Sequence, residues 1–278
     1  MKGGRASPGL TALRPTPRRG AQRPRRLVLE LLLMLTWREI AIKYKQSVMG
    51  FFWAILMPCL IVLAGLIVRA GMAHMSGTQL VANAAAGLMV KALPWAFFVS
   101  AIRFATNSLA ANSNLVTRSN CPRIVFPLAS VLSALFDMAI ALVPLVVVLA
   151  VVGVPVTWTM LWALPLVAMV VALVAGLGVL LATANLFYRD VKYIVEVFLT
   201  FGIFFTPVLF EARMLGTWQN WVMLNPLAPL LEGLHAAVVL GQAPDPAWTA
   251  YSACAVLAVA GLAALVFRRL EPIFADCI

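Results

Sequence analysis

Residues 138–188 read MAIALVPLVVVLAVVGVPVTWTMLWALPLVAMVVALVAGLGVLLATANLFY, without a single Asp, Glu, Lys or Arg. A helix rises about 1.5 Å per residue and the hydrocarbon core of a bilayer is about 30 Å thick, so one crossing needs roughly 20 mainly apolar residues. The stretch is too long for one crossing and suits two helices turned at Gly153-Val154-Pro155, since Gly and Pro punctuate helices. Working outward, residues 46–68 and 247–267 are also free of charge. Two weaker candidates are residues 91–111, interrupted by Arg103, and 191–210, which contain Glu196. With the third span starting near Phe126, the expectation is an all-α integral membrane protein with six transmembrane helices.

Composition agrees with that reading. The chain has 278 residues, 63% hydrophobic and 11% charged, with a mean hydropathy of +0.97, whereas a water-soluble domain carries roughly 25% charged residues. The net charge of +11 comes from 21 Lys+Arg against 10 Asp+Glu, and the basic residues crowd towards the N-terminus. Residues 1–26 form a Pro/Arg/Gly arm without apolar period, read as a disordered basic cytosolic arm and not as a cleaved signal. Nucleic-acid binding is excluded, because it needs basic groups on one folded face. An N-terminus in the cytosol also puts Arg118, Arg123, Arg189, Lys192, Arg268 and Arg269 inside. Only Arg69, Lys91 and Arg213 fall outside, as the positive-inside rule requires. Both termini are expected in the cytosol, with 269–278 a cytosolic tail and 50–268 the transmembrane domain.

Two apolar segments are not expected to cross. In residues 27–49, Leu33, Trp37, Ile40, Tyr44 and Val48 recur at helical steps, with Arg38, Glu39, Lys45 and Gln46 largely opposite. Such a helix lies in the headgroup plane, and Glu39 with Lys43 adds an i,i+4 pair. Residues 211–246 contain Trp218, Trp221, Pro226, Pro229, Gly233 and Gly241, so they cannot be one helix. They read as two short re-entrant helices between spans five and six. Irregular backbone at that depth must be covered by protein or line a wet cavity, which makes the segment a candidate gate.

Chemistry is conspicuous by its sparseness. No lysine follows a Gly-rich phosphate cradle, so no ATP site is expected on this chain. The histidines, His74 and His235, are isolated, and Cys59, Cys121, Cys254 and Cys277 lack disulfide or metal spacing. No metal site and no catalytic residue are expected. Arg103, Asp137 and Glu196 lie inside the proposed spans, where an unpaired charge is costly. Arg103 is expected to pair with Asp137 or Glu196 in the bundle interior. Phe51, Phe52, Trp53, Trp95, Phe97, Phe98, Trp218 and Trp221 sit near predicted membrane ends as belt anchors, some of them candidates for stacking on sugar rings. Asn185 with Arg189 and Asp190, at the cytosolic end of span four, suits a polar turn that caps helix ends.

The run Ile40-Ala41-Ile42-Lys43-Tyr44-Lys45-Gln46-Ser47-Val48-Met49-Gly50-Phe51-Phe52-Trp53, followed by Pro58, resembles the membrane subunits of bacterial ABC exporters of cell-surface polysaccharide, the O-antigen, capsule and teichoic-acid group. Asn185 with Arg189-Asp190-Val191, Thr206-Pro207-Val208, Asn225-Pro226 and Phe274-Ala275-Asp276 extend the resemblance over about residues 27–278. It implies a homodimer in the cytoplasmic (inner) membrane, working with two copies of a separate ATPase that binds ATP and Mg, and moving a lipid-linked glycan outward among membrane lipids. Lys43, Tyr44, Lys45 and Gln46, with Arg118, Pro122, Arg123, Arg189 and Asp190, then become ATPase-coupling candidates. Pro207, Trp218, Trp221, Asn225, Pro226 and His235 become outer-gate candidates. Two departures stand out: the loop reads Cys121-Pro122-Arg123-Ile124, where the family usually has an aromatic before Pro-Arg and an acid after it, and Arg103 is unusual. A drug or small-molecule exporter of the same architecture and a membrane-embedded lipid- or glycan-modifying enzyme are the alternatives.

Overall fold

The computed structural model describes residues 25–45, 52–76, 83–113, 115 and 121–274, and among them every regular element is helical. Gln46, Arg118, the arm up to residue 24 and the tail from residue 275 lie outside the described residues. The helices are α1 (Arg25–Lys45), α2 (Phe52–Ser76), α3 (Ala84–Ala111), α4 (Val125–Val152), α5 (Ala163–Phe187), α6 (Val191–Phe205), α7 (Gln219–Met223), α8 (Leu227–Val238) and α9 (Pro246–Leu270). Short 3₁₀ turns at Trp158–Trp162, Ala212–Trp218 and Glu271–Ile273 precede α5, precede α7 and follow α9.

Local chemistry explains where the helices stop. After α4, Gly153 adopts φ 75° and its N–H bonds to the Ala150 carbonyl, while the Val154 N–H reaches back to Leu149. That is the Schellman ending a left-handed glycine permits, and it makes the expected turn between spans three and four. At the start of α9, one carboxylate oxygen of Asp245 accepts from the Ala247 and Trp248 N–H groups, with Pro246 in the first turn. An aspartate cap followed by proline is a strong helix start. α6 ends at Phe205 because Thr206 precedes proline and is extended, at φ −120° and ψ 137°; the proline ring disfavours helical backbone at that position.

Among the described residues, five helical segments are long and apolar enough to cross a membrane: Phe52–Gly71, Ala84–Ala111, Val125–Val152, Trp158–Phe187 and Pro246–Ile273. α6 has only 15 residues, about 22 Å of helix against the roughly 30 Å of a hydrocarbon core. The second span begins seven residues before the expected Lys91, because the small apolar run from Ala84 joins it. Lys91 is therefore not an outer-loop charge; it sits inside α3.

α3 is the hub, packing against α2, α4, α5, α6 and α8. The apolar window of α3 is 72% buried, whereas those of α2 and α4 are each 11% buried. The core thus runs along α3, with Ala86, Leu93, Trp95, Ile102, Val131, Leu173 and Leu230 among its members. The outer faces of α2 and α4 remain open to lipid or to another chain. α1 lies along α4. Leu33 and Trp37 are 57% and 69% exposed, while Arg38, Glu39 and Lys43 turn towards the bundle, where each finds a polar partner. In an apolar solvent this is the favourable orientation, since hydrocarbon rewards outward Leu and Trp and penalises outward charge.

Candidate functional site

Three polar regions interrupt the apolar bundle. The first is a cavity of about 520 Å³ bounded by α1, α2, α3, α4 and α6, with Lys43, Tyr44, Arg103 and Asp137 on its wall beside Trp53, Trp95, Phe97 and Phe104. Asp137 lies twelve residues into α4, about 18 Å along the helix. Lys43 Nζ donates to its Oδ2 at 2.5 Å, and the Tyr44 hydroxyl donates to its Oδ1. Lys43 Nζ also stands 4.5 Å from the centre of the Phe104 ring. The cation is therefore shared between a carboxylate and an aromatic face. α6 approaches closely because Gly202 faces Trp95; a Cβ there would meet the indole at 3.0 Å.

Arg103 pairs with Glu196, Nη2 to Oε1 at 2.6 Å and Nε to Oε2 at 3.0 Å, a two-pronged contact that suits guanidinium and carboxylate. Of the two expected partners, Asp137 instead takes Lys43 and Tyr44. The Arg103–Glu196 pair is also not interior: its side chains are 48% and 47% exposed on the protomer.

The second region lies where α2, α3 and α8 meet the segment between α6 and α7. Lys91 is fully buried, and its Nζ donates to the Phe210 carbonyl at 2.6 Å and lies 3.3 Å from Glu232 Oε1. The same Glu232 oxygen accepts from the Ala212 N–H at 3.0 Å. In parallel, Arg69 Nε donates to the Leu209 carbonyl at 3.2 Å, and Glu211 stands between Arg69 and Arg213 at 3.7 and 2.5 Å. Two cations from two long helices thus hold one irregular segment by consecutive carbonyls and nearby carboxylates. His235 is buried beside this cluster against Gly87, where a Cβ would meet its Nε2 at 2.8 Å. Asn225 joins the segment to α8: its Nδ2 donates to Thr206 Oγ1 at 3.0 Å and its Oδ1 accepts from the Leu227 N–H at 3.1 Å. Pro207 is buried in the same turn, and the Pro226 carbonyl accepts from Ser252 at 3.0 Å. Trp218 and Trp221 point outward, 67% and 70% exposed.

The third region is the opposite end of the bundle. A polar cleft of about 340 Å³ there is lined by Asn107, Asn185, Arg189 and Lys192. Buried Asn185 accepts from the Lys192 N–H at 3.2 Å, which fixes the first turn of α6 against the end of α5, as the expected polar turn requires. Arg189, Asp190 and Lys45 are exposed. Arg123, half-buried beside Pro122, donates to the Glu271 carbonyl and lies 5.7 Å from the Phe274 ring. Phe274 itself is buried against Phe187 and Phe267.

Comparison with known proteins decides the class. Residues 30–239 match the family described as ABC-2 type transporter. The chain belongs to that family. The ABC-2 chain is also similar to the O-antigen export system permease protein RfbA of Klebsiella pneumoniae, 25% identical over 250 residues, covering 89% of this chain and 94% of that protein. Its likeness to the protein of the same name from Myxococcus xanthus is 28% over 222 residues, covering 77% and 82%. It is therefore a multi-pass membrane transport component, and the resemblance drawn from the Lys43-Tyr44-Lys45 run is borne out at the level of family.

Sequence reasoning missed the Lys91, Glu211 and Glu232 cluster of this ABC-2 chain. One signal was available: two acids and Arg213 fall within an otherwise uncharged segment of 22 residues, Glu211 to Glu232, and such charges need partners. Asn112 and Ser130, which receive Arg38 and serve Glu39 at 2.5 and 3.0 Å, carried no signal at all.

Proposed function

We propose that this chain is the membrane subunit of an ATP-driven exporter that moves a lipid-linked polysaccharide of the O-antigen type outward across the cytoplasmic membrane, acting as a homodimer. The observation that carries the reading is the cavity of about 520 Å³, whose aromatic walls and hydrogen-bonding groups suit a ligand that is part hydrocarbon and part sugar. The relatives, named as O-antigen export system permeases, support the same substrate class. In this reading the lipid-linked end enters there from the inner leaflet.

α6 supplies the sixth crossing, with the turn at residues 206–210 completing what about 22 Å of helix leaves of the hydrocarbon thickness. An even number of crossings returns both termini to the cytosol. α6 also carries Phe198, Phe201, Phe204 and Phe205 at 56–72% exposure on one protomer, and a second copy of the chain is the partner that covers them. The ATPase, with its ATP and Mg, docks at the cytosolic end, where Lys45, Arg189 and Asp190 are exposed and Pro122 and Arg123 are half-buried. Pro207, Trp218, Trp221, Asn225, Pro226 and His235 form the outer gate.

The test is a mild-detergent pulldown of the tagged chain from its native membrane, with ATPase assay of the eluate and detection of surface glycan after deletion of the gene. Co-elution of a protein with a Gly-rich phosphate loop, together with loss of surface polysaccharide, is the expected result. Recovery of the chain without an ATPase under every nucleotide condition would refute the proposal.

A further inference from the structure

We infer that Asp137 is a positioning residue that passes movement of α1 to α4, and that Lys43 and Tyr44 are its clip and do not face a partner protein. The inference rests on the exporter reading and goes one step into its mechanism. Four polar side chains within two turns of α1 find partners in the bundle: Arg38 on Asn112, Glu39 on Ser130, and Lys43 and Tyr44 on Asp137. Both oxygens of the Asp137 carboxylate are engaged, Oδ2 by the ammonium and Oδ1 by the phenol.

The arrangement has the character of a lever. Arg38 and Glu39 hold α1 near the ends of α3 and α4, since Asn112 directly follows α3 and Ser130 is five residues into α4. Asp137 is seven residues further along α4, about 10 Å away. Outward from α1 stand Leu33, Met34, Trp37 and Ile42, at 57–69% exposure, so that face offers no polar alternative to the clip. A displacement of α1 therefore has two outcomes: it drags α4 with it, or it strips both donors from a carboxylate deep in an apolar span, which is costly. Contacts of this kind switch between discrete arrangements and do not stretch continuously.

Position links the clip to transport. Lys43, Tyr44 and Asp137 line the same cavity as Trp53, Trp95 and Arg103, so α1 and α4 moving together displace two of its walls at once. A partner that pushes α1 from the cytosol thereby changes the cavity without touching it.

The experiment uses the complex with its ATPase in nanodiscs containing its lipid-linked glycan. Asp137→Asn and Lys43→Met are each expected to lower the glycan exported per ATP hydrolysed by about tenfold, the scale of a typical coupling energy. The exchange Lys43→Asp/Asp137→Lys is expected to recover most of that loss. A purely structural contact would reduce the yield of complex and leave the ratio unchanged. An unchanged ratio in both single variants, or an exchange no better than the worse single, overturns the inference. Spin labels at Ile42 and Val143, both exposed, report the α1–α4 separation independently. It should stay constant between nucleotide-free and ATP-bound complex, because the clip carries α4 with α1, and change in Asp137→Asn; a separation that changes in the unaltered complex overturns the clip. If the unaltered complex exports nothing, the exporter reading falls while the label separation still decides the clip.

Discussion

Among the described residues, Glu232 is the one carboxylate in contact with the fully buried Lys91 ammonium, and replacing it by alanine removes that contact. In the structure Lys91 Nζ has Glu232 at 3.3 Å and the Phe210 carbonyl at 2.6 Å. Breaking a buried pair by deleting one partner costs about 3–5 kcal/mol, because the remaining charge is left uncompensated. The Ala212 N–H, which donates to the same carboxylate at 3.0 Å, loses its acceptor as well, at about 1 kcal/mol or more. At roughly 2–4 °C per kcal/mol for chains of this size, Glu232→Ala should lower the melting temperature by about 10 °C. The assay is thermal unfolding in nanodiscs followed by tryptophan fluorescence. The double variant Lys91→Met/Glu232→Leu leaves no charge behind and should recover more than half of the loss. A single variant that melts within about 2 °C of the parent, or a double variant as unstable as the single, would show that the buried charge is not what holds this segment.

Asn225→Ala loses both the Thr206 contact and the acceptor for the Leu227 N–H, and is expected to cost about 1–2 kcal/mol; Asn225→Asp, which keeps the acceptor, should cost less in the same melting assay. Phe274→Ala opens the cluster with Phe187, Phe267 and Arg123, at about 3 kcal/mol. Limited proteolysis should then release the C-terminal residues sooner than in the parent. Burial holds the Glu39 carboxyl above its ordinary 4.5, against the opposing pull of the Ser130 hydrogen bond and of Arg38 and Lys43. The folded chain then binds more protons than the unfolded chain in the window opening at 4.5, so this group's stabilisation is lost as pH rises through it. Glu39→Gln should flatten the decline in melting temperature between about pH 4 and pH 7, and an unchanged slope would refute the assignment.

Helix positions were legible because they rest on local properties. Charge-free length marked the runs around residues 138–188 and 247–267, and Gly153, Pro207 and Pro246 stop or start helices through backbone geometry that depends on near neighbours alone. Asn185 was legible for the same reason, since its acceptor serves a backbone N–H only seven residues on. The candidate site was read less completely. By sequence Arg103 can pair with either of two acids, and only packing selects Glu196; Lys43 is a coupling candidate by sequence, and only packing shows that its ammonium meets Asp137, 94 residues away. Lys91 looked like an outer charge because its stabilising carboxylate lies 141 residues along the chain. The sequence by itself therefore determined an all-helical membrane protein, its principal spans and its family. The tertiary structure decided which face of α1 turns inward and which buried charges meet. The physical reason is that periodicity and hydropathy are summed over neighbouring residues, whereas the energy of a buried charge depends on which distant group reaches it.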